Sequence, residues 1–284
     1  GHMIHGQRGG VMGALATMGT VVGTSIPMLL GAMIMGPLSA WVLKKFDEWM
    51  EPRMPVGFEL LINNFSMGII GTLLVLLGMV VIGPVVTAIS NAFGSVVQWL
   101  VDIKLLPLVA LIIEPAKVLF LNNALNIGVL APLGAVASQE TGRAIHFMLE
   151  SNPGPGLGLL LAYTVAGKGM LKQSAPGAII IHFLGGIHEI YFPYVLAHPI
   201  MILAMYAGAI LANFWWVITD AGLVATPSPG SIFAYIAMTP RGWHFQVLMG
   251  VLIGAVASFL VGWVILKRFP VKEEEEEVEV FVEA

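Results

Sequence analysis

The chain has 284 residues, of which 57% are hydrophobic and 11% are charged, and its net charge is −4. A soluble domain carries about 25% charged residues, so this composition excludes an ordinary soluble protein and indicates one embedded in a membrane. The chain contains no cysteine, which excludes disulfides and thiol chemistry within these residues.

Apolar segments follow one another along the chain, and about 20 such residues in a helix cross a bilayer. The candidates are Val11–Leu43, Leu60–Ile89, Leu105–Leu133, Leu157–Ala166, Ala178–Tyr194, Ile200–Ile218 and Phe245–Leu266. The last two predict ordinary membrane spans because no charge interrupts them. The first is too long for one straight helix, and we expect it to break around Thr24–Pro27.

Two of these segments are unsuited to crossing a membrane as single helices. Leu157–Ala166 is too short, and Ala178–Tyr194 is interrupted by Gly185 and Gly186. Non-helical backbone at membrane depth is tolerated only where protein or a water-filled cavity surrounds it, and such segments often mark a transport site. The sequence therefore predicts an all-α, polytopic membrane protein with re-entrant hairpins or broken helices.

The strongest cluster of polar residues lies in the second interrupted segment. His188 and Glu189 follow the two glycines, and His182 precedes them. An ionisable group inside a membrane segment costs roughly 2.5–3.5 kcal/mol, so it marks a functional site by default. A carboxylate accepts strong hydrogen bonds from hydroxyls, which favours a polyol ligand. The alternative is a structural His–Glu network that closes the helix break.

Two more clusters lie upstream. Glu114 and Lys117 are three residues apart and are expected to pair across a helical turn, as part of a site or as a purely internal ion pair. Asparagines follow at Asn122, Asn123 and Asn126. Because amide side chains both donate and accept, they suit hydroxyl recognition, although hydrogen bonding between helices is the alternative.

A fourth candidate, Glu150, precedes the stretch Asn152–Gly156. Two prolines and two glycines there predict a loop or hairpin tip, and Glu150 is either a ligand contact or an ordinary loop carboxylate. For Asn63 and Asn64 a structural role is favoured. No residue spacing indicates a metal site, a phosphate-binding loop or a nucleic-acid surface.

Five motifs occur in an order that resembles a known family. They are Arg8–Val11, Asn63–Ser66, Phe120–Ala124, Asn152–Gly156 and Gly186–Tyr194. Together they resemble the mannitol-specific enzyme II C domain of the bacterial phosphotransferase system, over nearly the whole chain from Arg8 to Lys267. The stretch Gly-Ile-His-Glu at Gly186–Glu189 is the most specific of these markers.

The resemblance implies a multi-pass homodimer of the bacterial inner membrane, with a scaffold half and a transport half that moves as an elevator. Such proteins carry a hexitol inward and release it as the 1-phosphate without a cofactor. The phosphoryl group comes from a phosphocysteine on a B domain, which an A domain charges. The implied substrate carboxylate is Glu189, with His188 beside it, and Asn126 and Glu150 are further sensitive positions. We add Asn123 and His182 as expected substrate contacts.

Two departures from the family accompany the resemblance. The family's first membrane helices would precede Arg8, and the residue after Asn126, often histidine in the family, is Ile127. The expected domains are residues 1–3 as a tag remnant, 4–268 as the membrane-embedded domain and 269–284 as an acidic tail or linker.

Two other functions remain open from the residues alone. In an ion-coupled polyol transporter, Glu189 would titrate with the driving proton. In a non-transporting membrane scaffold, the polar residues would only join helices. The form in which the substrate reaches the cell interior, phosphorylated or free, separates these functions.

Overall fold

The computed structural model of the protein describes residues 1–55 and 57–269, and the regular elements within them are all helices. The α-helices in chain order are α1 His2–Val22, α2 Leu29–Met50, α3 Glu59–Leu77, α4 Gly83–Asp102, α5 Ala110–Val118, α6 Asn122–Leu125, α7 Ala131–Thr141, α8 His146–Leu149, α9 Pro153–Ala166, α10 Gly169–Ile179, α11 Phe192–Ala197, α12 Ile202–Ile218, α13 Ile232–Met238 and α14 His244–Arg268. Short 3₁₀ and π turns connect or extend several of them. The predicted all-α membrane fold is confirmed.

Four helical stretches in the described residues are long and apolar enough to cross a membrane. They are Leu29–Arg53, Glu59–Asp102, Pro199–Ile218 and His244–Arg268. The last two confirm the predicted ordinary spans. The predicted break in the first apolar segment is also confirmed, because α1 ends at Val22 and α2 begins only at Leu29.

The candidate apolar segment Leu105–Leu133 is not one continuous helix in the structure. Helix α5 ends at Val118, and α6 begins at Asn122. Between them Phe120 has φ of 59°, a left-handed conformation that interrupts a right-handed helix and is rare for a bulky residue. Neither glycine nor proline marks this position, so the interruption left no sequence signal.

The prediction of a loop over Asn152–Gly156 is also wrong. The side chain of Asn152 accepts a hydrogen bond from the backbone N–H of Gly154 at 2.9 Å, so Asn152 caps α9. Pro153 and Pro155 then lie in the first helical turn. Proline is tolerated there because the first N–H groups of a helix have no intrahelical partner.

The chain forms two units, of which the first comprises Gly1–Trp99 and Leu119–Val129. In it α1 packs against α2 and α3. Its apolar core consists of Met12, Ala16, Met35, Leu43 and Leu74.

An ionic network at one end of this core joins the three helices. Asp47 accepts hydrogen bonds from both Nε and Nη2 of Arg8, at 3.0 and 2.9 Å, and lies 2.6 Å from Nε2 of His5. Arg8 also donates to the backbone oxygen of Asn63 and to Oγ of Ser66, each at 3.2 Å. Two motifs of the family resemblance therefore meet in a structural contact.

The second unit comprises Leu100–Val118 and Leu130–Ala284. Its centre is formed by α14 packed against α9 and α12. An apolar core of this unit includes Phe147, Trp216, Tyr235 and Val251. Apart from Phe269, the predicted acidic tail lies outside the described residues, and the predicted domain limits stay predictions.

Candidate functional site

A break in the helical chain of the second unit carries several buried polar side chains. A π turn over Ile180–Leu184 continues α10, and a 3₁₀ turn over His188–Tyr191 precedes α11. Gly186 lies between the two turns with φ of 78°. A Cβ at this position would lie 2.6 Å from the backbone nitrogen of Ser231, so both the conformation and the close approach require glycine.

The start of α9 faces this break. The carbonyl oxygen of Pro153 accepts a hydrogen bond from Nε2 of His182 at 3.0 Å. A Cβ at Gly156 would collide with the His182 ring and lie 2.7 Å from the Tyr191 ring. The chain just before α9 is buried as well, including Glu150 and Asn152. The capped beginning of α9 thus forms a wall of the site.

Three rings cluster at this wall. The His182 and His188 ring centroids are 4.7 Å apart, and that of Tyr191 lies 5.1 Å from the first and 6.0 Å from the second. The carbonyl oxygen of Gly230 lies 3.1 Å from Nε2 of His188 and accepts a hydrogen bond from it, which fixes this imidazole. All three rings are buried.

The hydrogen bonds of the two imidazoles define their tautomers. A carbonyl oxygen only accepts, so Nε2 must carry the proton in both His182 and His188. In a neutral imidazole the other nitrogen, Nδ1, is then an acceptor. Both Nδ1 atoms are buried and have no hydrogen-bond partner within residues 1–55 and 57–269. The site therefore presents two buried acceptors.

Other buried atoms without a partner in the described part of the chain include the hydroxyl of Tyr191, Nδ2 of Asn152 and Oε2 of Glu114. The other oxygen of Glu114 accepts a hydrogen bond from Lys117 at 2.9 Å, and both side chains are fully buried. This confirms the predicted ion pair. Buried polar groups are normally hydrogen-bonded, so this concentration of open atoms favours a ligand site.

Charged groups surround the cluster. The carboxyls of Glu114, Glu150 and Glu189 are all close enough to the Tyr191 hydroxyl to act on it electrostatically. Lys117 acts in the same way on both imidazoles. Three carboxyls therefore lie within electrostatic reach of Tyr191, and one ammonium group lies within reach of the two imidazoles.

Four of the six sequence-predicted contacts belong to this region: Glu150, His182, His188 and Glu189. The other two, Asn123 and Asn126, belong to the first unit, on α6 and at the start of the π turn that follows it. The roles of all six stay predictions. Sequence reasoning missed Tyr191 and Asn152 as candidates, although both lie inside motifs of the family resemblance.

Comparison with known proteins identifies the family of the chain. The family model described as "Phosphotransferase system, EIIC" matches residues 6–208. No solved structure matches the chain significantly.

Three curated relatives illustrate the similarity. The mannitol-specific EIICB component of Geobacillus stearothermophilus is 59% identical over 97% of this chain and 58% of its own length. The cryptic mannitol-specific EIICB component of Escherichia coli K12 is 54% identical over 98% of this chain and 60% of its own length. The mannitol-specific EIICBA component of the same organism is 51% identical over 97% of this chain and 43% of its own length.

The chain thus spans less than two thirds of the length of these relatives. The family model nevertheless covers well over half of the chain, and the relatives align with almost all of it. Its helical, multi-pass architecture is that of a membrane permease domain. The chain belongs to the EIIC family of the phosphotransferase system.

Proposed function

We propose that this chain binds mannitol, or a close hexitol, and carries it across the membrane while a separate B domain phosphorylates it. Two lines support the proposal. The relatives described above are named as mannitol-specific EIICB and EIICBA components. The second unit holds a buried cluster that is rich in hydrogen-bond acceptors.

The observation that carries the proposal is the pair of buried, unpartnered Nδ1 atoms of His182 and His188. Acceptors beside carboxyl groups suit a neutral ligand with several O–H donors, which describes a polyol. An anion would meet lone pairs and carboxylates of the same sign. We therefore expect the phosphorylated product to bind more weakly than mannitol.

Individual roles follow from this chemistry. Glu189 and Glu150 accept hydroxyl hydrogen bonds, which are strong when the acceptor is ionised. The Nδ2 group of Asn152 donates to a hydroxyl oxygen, and the Tyr191 hydroxyl either donates or accepts. Asn123 and Asn126 remain expected contacts from the family resemblance.

The phosphoryl transfer needs a donor that these 284 residues do not contain, because they lack cysteine. A hydroxyl oxygen of the bound hexitol attacks the phosphorus of a phosphocysteine on the B domain. The new O–P bond forms, the S–P bond breaks and the thiolate leaves with the B domain. The hydroxyl proton passes to the carboxylate that accepts its hydrogen bond, Glu189 or Glu150. Catalysis of such a transfer depends chiefly on positioning and electrostatics.

Mannitol binding and product formation test the proposal separately. Calorimetry with the purified protein is expected to show mannitol binding without any B domain. Mannitol 1-phosphate is expected only when a phosphorylated B domain is added. Absence of binding by folded protein would argue for a scaffold, and uptake of free mannitol driven by a proton gradient would argue for an ion-coupled transporter. Either result would overturn the proposal.

The remaining expected partners are part of the same proposal. They are the A domain that charges the B domain, a second copy of this chain in a homodimer, and the surrounding bilayer. The elevator motion of a transport half is likewise inferred from the family resemblance.

A further inference from the structure

A second polar region of the second unit lies apart from the residues assigned to mannitol. It is a cavity of about 360 Å³ at the C-terminal end of α12. The lining residues that bear on a ligand are Lys104, Arg143, Ile145, His146, Trp216 and Asp220. Its volume is in the range of small-ligand sites, and its walls are mostly apolar with a few charged groups.

Tryptophans locate this cavity at the edge of the membrane. Trp215 and Trp216 lie in the last turn of the span Pro199–Ile218, and Trp243 directly precedes the span His244–Arg268. The indoles of the first two donate to backbone oxygens of Gln246 and Val247 at 2.8 and 3.1 Å, which joins the two helix ends. Tryptophan is enriched where a protein crosses the boundary between lipid and water.

The rim of the cavity is built from backbone in an unfavourable conformation. Lys104 and Asp220 have φ of 61° and 51°, and the only other non-glycine residue with positive φ in the described chain is Phe120. Gly142, beside the cavity-lining Thr141, has φ of 74°. Residues held in such conformations cluster at ligand sites, because the surrounding structure must enforce them.

The charged side chains of the rim differ in whether they form an ion pair. Arg143 pairs with Asp220, donates to its backbone oxygen at 2.8 Å and stacks on Trp243 with its guanidinium 3.7 Å from the ring centroid. Lys104 forms no ion pair within the described residues. The rim therefore offers one uncommitted ammonium group beside a fixed guanidinium.

A further polar group of the cavity is His146. Both of its ring nitrogens are buried and have no hydrogen-bond partner among residues 1–55 and 57–269. Burial lowers the pKa of this imidazole, because desolvation disfavours the charged form. A neutral imidazole offers one donor and one acceptor to whatever occupies the cavity.

We propose that this cavity binds the anionic headgroup of a membrane phospholipid, with the phosphate at Lys104 and Arg143 and the adjoining carbons against Trp216 and Ile145. The location at the membrane edge favours a lipid over a soluble ligand. The mostly apolar wall disfavours a second polyol site. Basic pockets between transmembrane helices bind anionic lipid headgroups in other membrane proteins.

The test is native mass spectrometry of detergent-purified protein with added phosphatidylglycerol or phosphatidylcholine. Phosphatidylglycerol is expected to bind preferentially, and Lys104→Asn to weaken it about tenfold by removing one charge-assisted contact. Asparagine tolerates positive φ, so this variant keeps the backbone conformation. Its mannitol affinity should equal that of the unchanged protein, which verifies folding.

The matched control is Lys172→Gln, which removes an exposed lysine of the same unit on α10. It should leave phosphatidylglycerol binding unchanged. Equal losses in both variants would identify non-specific charge attraction and overturn the proposal. Equal binding of the two lipids would also overturn the proposal, as would displacement of phosphatidylglycerol by millimolar inorganic phosphate.

Discussion

The two units differ in how completely the polar side chains of one network are paired. In the first unit Arg8 and Asp47 form two hydrogen bonds with each other. His5 also contacts Asp47, and Ser66 accepts a further hydrogen bond from Arg8, so the network is closed. In the second unit His182 and His188 each use one ring nitrogen on a backbone oxygen and keep the other open. A closed network fixes helices, whereas a network with open atoms is completed by a ligand. Mutations in the two units should therefore separate stability from affinity.

The largest expected effect is on affinity, at Glu189. Glu189→Ala removes a carboxylate that we expect to accept two hydroxyls, at about 1.5–3 kcal/mol for each charge-assisted bond. Mannitol affinity measured by calorimetry should fall at least a hundredfold. Glu189→Gln keeps one acceptor and should bind measurably but poorly, and Glu189→Asp should also lose affinity because it is shorter. A well-folded Glu189→Ala protein with normal affinity would remove Glu189 from the site.

The next effect is on stability, at Arg8. Arg8→Gln breaks the ion pair with Asp47 and leaves the carboxylate with fewer donors. We expect a loss of about 2 kcal/mol, near the lower end for charged hydrogen bonds because the pair is partly exposed. The melting temperature should fall while mannitol affinity stays constant. Weaker mannitol binding at an unchanged melting temperature would contradict the division between the two units.

A smaller effect is expected at Asn152, whose side chain caps α9 and also offers a donor that we expect to contact the ligand. Asn152→Ser keeps a side-chain oxygen that can cap α9 but removes the open Nδ2 donor. Mannitol affinity should fall about tenfold with little change in melting temperature. Asn152→Ala removes cap and donor together, so it should lower both. If the serine variant binds normally, Nδ2 does not contact the ligand.

The smallest effect, and the most diagnostic in sign, is expected at Tyr191. Tyr191→Phe deletes a buried hydroxyl that has no partner in the described part of the chain, and removing an unsatisfied group relieves its desolvation penalty. The ligand-free protein should melt slightly higher, while mannitol binds a few-fold more weakly. A lower melting temperature would show that the hydroxyl has a structural role.

The membrane spans could be predicted from the sequence more completely than the helix breaks or the contacts within the site. The spans ending at Ile218 and Arg268 were predictable because uninterrupted apolar length determines them. The break at Gly185 and Gly186 was predictable because glycine marks it. The break at Phe120 was not, since a left-handed conformation is rare for a bulky residue and neither glycine nor proline marks the position.

The contents of the site show the same limit. Glu150, His182, His188 and Glu189 could be selected because ionisable groups are rare in apolar segments. The sequence did not reveal that Pro153 begins a helix, because proline and glycine together suggested a loop. It therefore also did not reveal that the carbonyl oxygen of Pro153 orients His182. It also gave no sign that Tyr191 is buried with an open hydroxyl, since tyrosine is common in membrane proteins for other reasons.

The stretch Glu59–Asp102 is helical over 44 residues, which corresponds to a length of about 66 Å. The hydrocarbon layer is about 30 Å thick, and even a tilt of about 40°, the upper end of the usual range, leaves about 50 Å along the membrane normal. Some turns of this helix must therefore lie outside the hydrocarbon, and its C-terminal part carries Asn91, Ser95 and Gln98. Because this helix is longer than the hydrocarbon layer, more or fewer of its turns can lie among the lipid chains as the bilayer becomes thicker or thinner. The protein should consequently tolerate membranes with a wide range of lipid chain lengths.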